Sequence, residues 1–306
     1  MKKKLGFYPG CSLEGTAKEY SESVVSLSEQ FDIELKQIPD WNCCGATAAH
    51  NLNKTLSLVL PSRILAQAQK NEMKEIVVPC AACYNRLSVT QYELLKNDQL
   101  KATVEQAIDM PLNTSIRILN VIQFIQEYIL PEIPEKLSHT FDKKVACYYG
   151  CLLVRPHNIL KFDRPESPQF MDEIMQMLGA ETIDWPFKTE CCGAGLSVSR
   201  TELVGKLSGK IVREALDRKA EAIIVACPMC HANLDMRRPA IDQYLEMKTE
   251  IPVLYITQAI GMACGLNERQ TGTRRHLVKV IGNYFTKTRI PVENNENNPI
   301  TVEEII

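Results

Sequence analysis

Short apolar stretches alternate along this chain with longer stretches of helical period. In the first half, the runs LGFY, IELKQIP, EIVVP and RILNV are short, apolar and partly β-branched, as buried strands are. Residues 54–69 and 87–96 instead repeat apolar positions at intervals of three and four, which is typical of amphipathic helices. The pattern predicts strands that alternate with helices.

The second half of the chain repeats this order. Its apolar runs are KVACYY, TIDWP, AIIVAC and PVLYI, and helical periods cover residues 169–178, 201–218 and 233–246. Alternating strands and helices favour βαβ units, so we expect an α/β fold of two similar repeated domains with mainly parallel sheets. The expected divisions are 1–135 for the first domain, 136–285 for the second and 286–306 for a flexible tail.

Ten of the twelve cysteines form two series with matching spacing. In the first series, 31 residues separate the first cysteine from an adjacent pair, and 35 residues separate that pair from a CxxC motif. The corresponding gaps in the second series are 39 and 34 residues. The surrounding words also match, as YPGC with YYGC, WNCCGA with TECCGA and VVPCAAC with IVACPMC. The chain therefore contains an internal repeat, with one cysteine series in each copy.

The cysteines of both series follow the predicted strands closely. Open parallel sheets place their binding sites beyond the carboxyl ends of the strands, so each series is expected to converge over one sheet edge. An adjacent Cys-Cys pair is a poor disulfide, because the bridge would strain normal disulfide geometry. The adjacent pair instead suits a site in which both sulfurs bind the same group. The glycine after the pair lets the backbone turn closely around that group.

The composition is that of a soluble protein without a strong charge preference. With 306 residues, the chain exceeds one average core, and 45% hydrophobic and 24% charged residues are ordinary values. A net charge of −2 argues against a nucleic-acid role. No signal peptide and no membrane span are recognisable, because polar residues interrupt the longest apolar stretch, residues 116–130. We expect a cytoplasmic protein, in which thiols stay reduced.

Three kinds of thiol chemistry compete at this point. Structural zinc takes four ligands, usually from two paired hooks, whereas each copy here has five thiols and a single CxxC. A thioredoxin-like redox couple would use that CxxC and leave three thiols in each copy unexplained. Iron–sulfur ligation accounts for all five, since soft thiolates favour such clusters, although an ordinary cubane cluster takes four.

The doubled motif closely resembles the cysteine-rich CCG domain of the heterodisulfide reductase B subunit, in its bacterial type. The resemblance runs from residue 4 to about residue 265 and includes YPGCSLEGTAKEY, DWNCCGA and PCAACYNRL. It implies a subunit with two non-cubane [4Fe-4S] clusters that reduces a disulfide to two thiols by one-electron steps. It also implies a small-molecule disulfide as substrate, a ferredoxin-like C subunit and a flavin-containing A subunit as partners, and no flavin in this chain.

The resemblance assigns five ligands to each cluster by position. The first cluster would be held by Cys11, Cys43, Cys44, Cys80 and Cys83. The second would be held by Cys151, Cys191, Cys192, Cys227 and Cys230. Cys147 falls within a predicted strand and Cys264 follows the final helix, so both are interpreted as structural thiols.

Several basic residues near the cysteines are candidates for binding an anionic substrate. Arg86 follows the first CxxC, His231 follows the second, and Arg155 lies in an insertion after Cys151. That insertion, residues 155–168, is either a surface excursion or a wall of the site, and it also offers His157 and Arg164. Two further candidates, Arg237 and Arg238, could equally belong to a solvated helix face.

Two functions remain open from the sequence. A catalytic disulfide reductase subunit requires a cleft that both clusters share. An electron-relay subunit of another dehydrogenase complex requires clusters but no cleft, and CCG-domain proteins occur in such complexes as well. We favour the reductase, because the duplication supplies one metal centre for each departing sulfur.

Overall fold

A computed structural model describes residues 2–46, 49–113, 115–280 and 285–286. It contains two four-stranded parallel sheets, one in each half of the chain, and a short antiparallel pair. The strands of the first half are β1 (Lys3–Phe7), β2 (Ile33–Gln37), β3 (Glu75–Val78) and β4 (Arg117–Asn120). The remaining strands are β5 (Thr140–Phe141), β6 (Lys144–Tyr148), β7 (Glu181–Thr182), β8 (Ala222–Val225), β9 (Val253–Tyr255) and β10 (Phe285–Thr286).

Helices fill the connections between the strands. Those of the first half are α1 (Gly10–Glu14), α2 (Lys18–Gln30), α3 (Ala49–Leu52), α4 (Lys54–Lys70), α5 (Ala81–Lys96), α6 (Asp98–Ile108), α7 (Val121–Tyr128) and α8 (Ile133–Lys136). Those of the second half are α9 (His157–Leu160), α10 (Phe170–Met177), α11 (Thr201–Asp217), α12 (Pro228–His231), α13 (Arg238–Leu245), α14 (Ile256–Ala263) and α15 (Glu268–Thr271).

Both sheets have the same topology, which confirms the predicted repeat of two α/β units. The strand order is β2-β1-β3-β4 in the first sheet and β7-β6-β8-β9 in the second. In each sheet the first strand lies between the second and the third, so successive connections leave it in opposite directions. Such a switch point opens a crevice at the carboxyl ends of the strands. The cysteines that follow the first three strands of each sheet therefore arrive at one crevice.

The central strands are buried on both faces, as expected of parallel strands covered by helices. Ile76, Val77 and Val78 of β3 have no exposed surface, and neither do the four residues of β8. Burial of such a side chain stabilises the fold by roughly 1.5–3 kcal/mol. This apolar core holds the strand ends rigidly beneath the cysteines.

The two halves meet at the carboxyl ends of β3 and β8. The hydroxyl of Tyr20, on α2, lies 3.3 Å from the carbonyl oxygens of both Pro79 and Ala226. The Tyr20 ring stacks on Tyr255 of the second half, with centroids 3.9 Å apart and planes 3° from parallel. Since Pro79 and Ala226 directly precede the two CxxC motifs, this contact brings the motifs together.

Several elements differ from the sequence predictions in length. α5 begins at Ala81, six residues before the predicted start, so the CxxC belongs to the helix. The helix predicted at 233–246 begins at Arg238, because Pro239 lacks an amide hydrogen and suits a first helical turn. A π-helical turn, Ala232–Met236, precedes it. β7 has two residues, fewer than predicted, while the insertion after Cys151 contains the short helix α9.

Two further predictions concern the chain ends and the membrane. Apart from Thr286, the tail predicted at 286–306 lies outside the described residues. Among the helices of the described ranges, none has the length and hydrophobicity that crossing a bilayer requires.

Candidate functional site

The structure brings the five cysteines of the first series together. The Sγ atoms of Cys11 and Cys43 lie 3.8 Å apart, and those of Cys44 and Cys83 lie 3.2 Å apart. The thiols of Cys80 and Cys83 lie close enough to shift each other's pKa. Cys11 and Cys43 are exposed, whereas the other three are buried. The series thus forms a string of sulfurs that runs from the surface into the interior.

The second series has the same arrangement. Cys192 and Cys230 place their Sγ atoms 3.7 Å apart. The thiols of Cys151 and Cys191 lie close enough to shift each other's pKa, and so do those of Cys227 and Cys230 within the CxxC turn. As in the first series, the last three cysteines of the repeat are buried, and the first member of the adjacent pair, Cys191, is exposed.

The two series also contact each other. The thiols of Cys80 and Cys227, the first cysteines of the two CxxC motifs, lie close enough to shift each other's pKa, upward for Cys80 and downward for Cys227. Both thiols are buried at the contact between the halves. The ten sulfurs therefore form one continuous group, with its centre where Tyr20 holds the two strand ends.

Glycine makes room for these sulfurs at equivalent positions of the repeat. Gly10 and Gly150 have φ of +63° and +69°, and a β-carbon there would lie 3.2 Å from the Sγ of Cys83 and 2.9 Å from the Sγ of Cys230. Contacts of 2.9 Å are too short for carbon and sulfur. The glycines after the adjacent cysteines, Gly45 and Gly193, also have positive φ, which confirms a turn at both CCG motifs.

Two tyrosines hold the adjacent cysteine pairs in place. Tyr8 donates a hydrogen bond to the carbonyl oxygen of Asn42 at 2.8 Å, and Tyr148 donates to that of Glu190 at 2.6 Å. Each acceptor directly precedes a Cys-Cys pair. The sequence analysis assigned no role to these tyrosines, although the repeated words YPGC and YYGC contain them at the same position.

Hydrogen bonds to sulfur favour negative charge within each string. The pKa of Cys44 is lowered to about 4, chiefly by the interactions of its sulfur with the thiols of Cys43 and then Cys83. Cys151 acts likewise on Cys191 and lowers its pKa to about 6. Backbone amides contribute, since the N–H of Gly193 lies 3.3 Å from the Sγ of Cys191. The neighbouring thiols of Cys43 and Cys151 have raised pKa values, so within each of these two pairs one sulfur is favoured as the thiolate.

A cavity of about 310 Å³ lies against the second series. All five cysteines of that series line it, and the first half of the chain contributes Ala46, Ala81, Ala82 and Arg86. Leu152 and Met229 add apolar wall. Arg86 is the one charged side chain among the described lining residues, and its positive charge also favours the thiolate of Cys44.

Of the three predicted anion contacts, Arg86 reaches the cavity and the other two do not. Arg155 points to the exposed carboxylate of Glu166, 2.8 Å away. The ring of His231 is buried, lies 3.1 Å from the carbonyl oxygen of Val253 and stacks on Tyr255. His231 follows Cys230 in sequence, but the helical turn directs its side chain to the opposite side of the domain contact.

The other basic candidates lie outside the cavity lining as well. Arg237 donates to the carbonyl oxygen of Ser197 at 2.9 Å, and Arg238 is buried with hydrogen bonds to Thr249 and to the backbone of Ile251. Neither His157 nor Arg164 lines the cavity. None of residues 155–168 lines the cavity. Asn85 donates hydrogen bonds to the carbonyl oxygens of Leu152 and Arg155 and so holds the start of the insertion against α5.

The two remaining cysteines lie apart from both strings. Cys147 is fully buried within β6, and the indole of Trp185 donates to its carbonyl oxygen at 3.0 Å. Cys264 is buried directly after α14. These positions agree with the structural role that we expect for both thiols.

A buried ion pair supports the turn before Cys151. Lys188 and Asp172 lie 3.1 Å apart, each with a side chain 3% exposed, and Asp172 also accepts a hydrogen bond from Tyr149 at 2.8 Å. The carbonyl oxygen of Lys188 accepts the backbone N–H groups of Tyr149 and Gly150. Tyr149 lines the cavity, so this pair lies behind its wall.

The ion pair predicts a pH effect on stability. Burial raises the pKa of Asp172 to about 6, because desolvation outweighs the attraction of Lys188. An unfolded chain has an aspartate pKa of about 3.9, so between about pH 4 and about pH 6 the folded state binds the additional proton. The contribution of Asp172 to stability therefore falls as pH rises through this range. In thermal melts, the melting temperature of wild type minus that of Asp172→Asn should shrink as pH rises; a constant difference would contradict the assignment.

The cysteine strings are not single-ion sites. Within the ranges that the structure describes, no three histidine, cysteine, aspartate or glutamate side chains are arranged to hold one metal ion. The sulfurs instead contact one another in pairs. Such pairs offer ligands at several points rather than around one centre.

Comparisons with known proteins agree with this architecture. The 8-methylmenaquinol:fumarate reductase membrane anchor subunit of Wolinella succinogenes is 25% identical over 281 residues, covering 91% of this chain and 98% of the relative. The B subunit of the ferredoxin:CoB-CoM heterodisulfide reductase of Methanosarcina mazei is 28% identical over 287 residues, with coverages of 91% and 95%. A crystal structure of a hypothetical protein from Helicobacter pylori shares the fold, with a TM-score of 0.74 at 15% identity, over 92% of this chain and 53% of that one.

The repeat itself corresponds to a known domain. The cysteine-rich domain called CCG matches residues 5–88 and again residues 145–235, and each match includes one complete cysteine series. Because these two copies cover more than half of the chain, and relatives named as B subunits of heterodisulfide reductases align over most of the rest, this protein belongs to the family of CCG cysteine-rich domain proteins.

Proposed function

We propose that this chain is the disulfide-reducing subunit of a heterodisulfide reductase-like complex and that its ten cysteines hold two non-cubane [4Fe-4S] clusters. The observation that carries the proposal is the contact of the two cysteine series beside a cavity. The thiols of Cys80 and Cys227 lie close to each other, and Cys227 lines the cavity together with the other four cysteines of the second series. A disulfide in that cavity would lie against the second metal centre, with the first centre next to it at the contact of Cys80 and Cys227.

The residues fit an iron–sulfur group better than a single ion. A structural metal ion needs four ligands around one point, whereas a cluster of several irons takes thiolates at several points on its edge. The sulfur strings match the second requirement. Gly10 and Gly150 keep β-carbons away from Cys83 and Cys230, leaving the inner face of each string clear. Cys11, Cys43, Cys44, Cys80 and Cys83 would hold one cluster, and their counterparts in the second series the other.

When bound, clusters of this kind supply electrons one at a time. The side chains around them select and orient the substrate. Ala81, Ala82, Leu152 and Met229 form an apolar wall that displaces water from a disulfide and its adjoining carbons. Arg86 offers a guanidinium to an anionic end of the substrate. Reduction of the disulfide consumes two electrons and two protons and releases two thiols.

The proposed partners follow from the family. A ferredoxin-like C subunit and a flavin-containing A subunit would deliver the electrons, and no flavin is proposed for this chain. The relative from Methanosarcina mazei has both ferredoxin and heterodisulfide in its name, which supports an electron-carrier protein and a disulfide as reactants. We place the complex in the cytoplasm, where thiolate ligands stay reduced.

A second function has support from the other relative. The protein from Wolinella succinogenes, matched over 98% of its length, is named as a subunit of a menaquinol:fumarate reductase. In such a complex the chain would relay electrons between partners without binding a disulfide. In this alternative, no substrate binds in the cavity.

Anaerobic biochemistry separates the possibilities. The purified chain is expected to be brown, with about eight irons and matching acid-labile sulfide, as two [4Fe-4S] clusters require. A colourless zinc protein would refute the cluster proposal. With reduced methyl viologen as donor, consumption of the dye that requires an added disulfide supports the reductase. A fully reducible, iron-loaded protein that leaves every disulfide of a broad panel intact supports the relay.

Arg86 is expected to select anionic disulfides. Replacing it with glutamine removes a charge-assisted hydrogen bond, which contributes about 1.5–3 kcal/mol, so KM for dithiodipropionate should rise roughly ten- to a hundredfold. The uncharged 2-hydroxyethyl disulfide should keep its KM, and Arg86→Lys should retain part of the preference for the anion. Steady-state kinetics with both substrates measure this.

Arg155→Gln is the matched control, because its guanidinium pairs with Glu166 away from the cavity. Iron content must be equal in all variants. If Arg86→Gln raises KM equally for the charged and the uncharged disulfide, the arginine does not bind the anion.

A further inference from the structure

A basic surface lies at two pockets that share no lining residue with the cavity. These neighbouring pockets, of about 630 and about 510 Å³, share Lys18 at the start of α2. The other wall of both pockets comes from residues 269–279, including α15. We call the two pockets together the α2–α15 surface.

Exposed positive charge exceeds exposed negative charge on the α2–α15 surface. Its exposed basic residues are Lys18, Arg269, Arg274, Arg275 and Lys279. Among the described residues, four acidic ones also line the two pockets: Glu19 and Asp235 are buried, Glu22 is paired with Arg275 at 2.7 Å, and Glu14 is exposed. This group of exposed basic residues is distinctive in a chain whose net charge is −2. A surface of this kind attracts acidic proteins and accelerates their encounter.

A column of aromatic rings joins this surface to the cysteine strings. His276 and His231 line one of the two pockets, and their ring centroids lie 4.5 Å apart. His231 stacks on Tyr255 at 4.3 Å, and Tyr255 stacks on Tyr20 at 3.9 Å. The column then ends at the hydroxyl of Tyr20.

The end of the column contacts both halves of the site. The Tyr20 hydroxyl lies 3.3 Å from the carbonyl oxygens of residues 79 and 226, each one residue before a CxxC cysteine. His231 is also bonded directly to Cys230 along the chain. Electron transfer is faster through packed rings and covalent bonds than through empty space between atoms. The column therefore provides a route for electrons from the surface to both cysteine strings.

Buried hydrogen bonds hold the column in one geometry. The amide of Gln258 donates to His276 at 2.9 Å and to the carbonyl oxygen of Thr271 at 2.9 Å. Glu19 lies 3.3 Å from the hydroxyl of Tyr255. These residues are all buried. The surface and the column are therefore built as one unit.

We propose that the α2–α15 surface docks an acidic one-electron carrier protein and that the aromatic column conducts its electrons to the cysteine strings. Each docking event oxidises one carrier by one electron. Two events supply the two electrons that reduction of a disulfide requires. This inference rests on the proposed electron-accepting clusters and adds the place at which electrons enter.

The test uses the full, iron-loaded chain with a reduced, acidic bacterial ferredoxin as probe, in an anaerobic stopped-flow instrument. The variant Lys18→Glu/Arg269→Glu/Arg274→Glu reverses three charges whose side chains make no hydrogen bond or ion pair within the described residues. Its second-order rate of cluster reduction at low salt should fall at least tenfold, and the wild-type rate should fall as salt rises. The control Lys36→Glu/Lys70→Glu/Lys210→Glu changes net charge equally outside both pockets and should keep the wild-type rate.

Reduced methyl viologen distinguishes a failure of the docking surface from a failure of the proposed clusters, since a small dye needs no docking surface. If the dye reduces every variant equally while ferredoxin fails only with the first triple variant, the docking surface is supported. If ferredoxin reduces both triple variants within twofold of wild type, the docking proposal is overturned while the proposed function stands. If the dye cannot reduce the wild-type chain, both fail.

A second pair of variants tests the column. Tyr255→Phe keeps the stacked ring, whereas Tyr255→Leu removes it. At saturating ferredoxin, the limiting rate of cluster reduction should fall severalfold in Tyr255→Leu and stay unchanged in Tyr255→Phe, with equal iron content. Equal limiting rates in the two iron-loaded variants would refute conduction through the column.

Discussion

Alanine in place of Gly150 is expected to halve the iron content of the protein, from about eight to about four irons per chain. The new β-carbon would lie 2.9 Å from the Sγ of Cys230, and the residue would keep a φ of +69°. A left-handed conformation costs alanine roughly 1–2 kcal/mol, and overpacking adds about 1–3 kcal/mol. A shift of the Cys230 sulfur away from this β-carbon would change its position relative to Cys192, 3.7 Å away, with which it would hold the second cluster. Iron analysis and acid-labile sulfide after anaerobic purification measure the loss.

Two other glycines form a graded control series. Gly10→Ala meets the Sγ of Cys83 at 3.2 Å, so its effect should be smaller and confined to the first cluster. Gly195→Ala, which also lines the cavity, meets no atom within 4 Å and should retain all of its iron. Equal iron in Gly150→Ala and Gly195→Ala would show that the clearance over Cys230 is not required.

Loss of the buried cation at position 188 is expected to destabilise the second half by about 3–5 kcal/mol. Lys188→Ala leaves the carboxylate of Asp172 in a site where both side chains are 3% exposed, and it removes a hydrogen bond to the carbonyl oxygen of Pro168. The turn before Cys151 lies against this pair, so iron in the second cluster should become labile as well. Thermal melts of anaerobic protein and the rate of iron loss to a chelator report the two effects.

An exposed ion pair supplies the control for this prediction. Lys248 and Glu250 lie 2.9 Å apart with side chains 80% and 76% exposed, and Lys248→Ala should not change the melting temperature measurably. The double variant Lys188→Met/Asp172→Asn removes both charges and keeps an acceptor for Tyr149, so it should be more stable than Lys188→Ala. If the double variant is less stable than Lys188→Ala, an unpaired charge does not explain the loss of stability in Lys188→Ala.

The repeat and the general fold could be predicted well from the sequence. Strand runs such as EIVVP and AIIVAC are apolar on both faces, and this pattern depends on neighbours close in sequence. Both runs form central parallel strands, β3 and β8. The strand in TIDWP was harder to predict, because its apolar pattern is weak. It forms β7, a two-residue edge strand whose pairing depends on β6. The start of α5 was also predicted wrongly, because this helix begins at Ala81, within a cysteine motif.

The basic residues show where local reasoning failed. Arg86 and His231 each follow a CxxC closely, yet Arg86 lines the cavity and His231 faces the opposite pocket. Their helices begin alike, but His231 stacks on Tyr255, a residue more than twenty positions away in the chain. Arg86 is also the third residue after its CxxC and His231 the first, so about 200° of helical rotation separates the directions of the two side chains.

By itself, the sequence determined that each half is an α/β unit and that five thiols follow the strand ends of each unit, because strand periodicity and cysteine spacing are properties of neighbouring residues. The tertiary structure decided that Cys80 meets Cys227, that Tyr20 joins the two strand ends, and that Arg86 alone among the predicted anion contacts reaches the cavity. Those contacts join residues from different halves of the chain. They depend on how two folded units pack together, which no short pattern specifies.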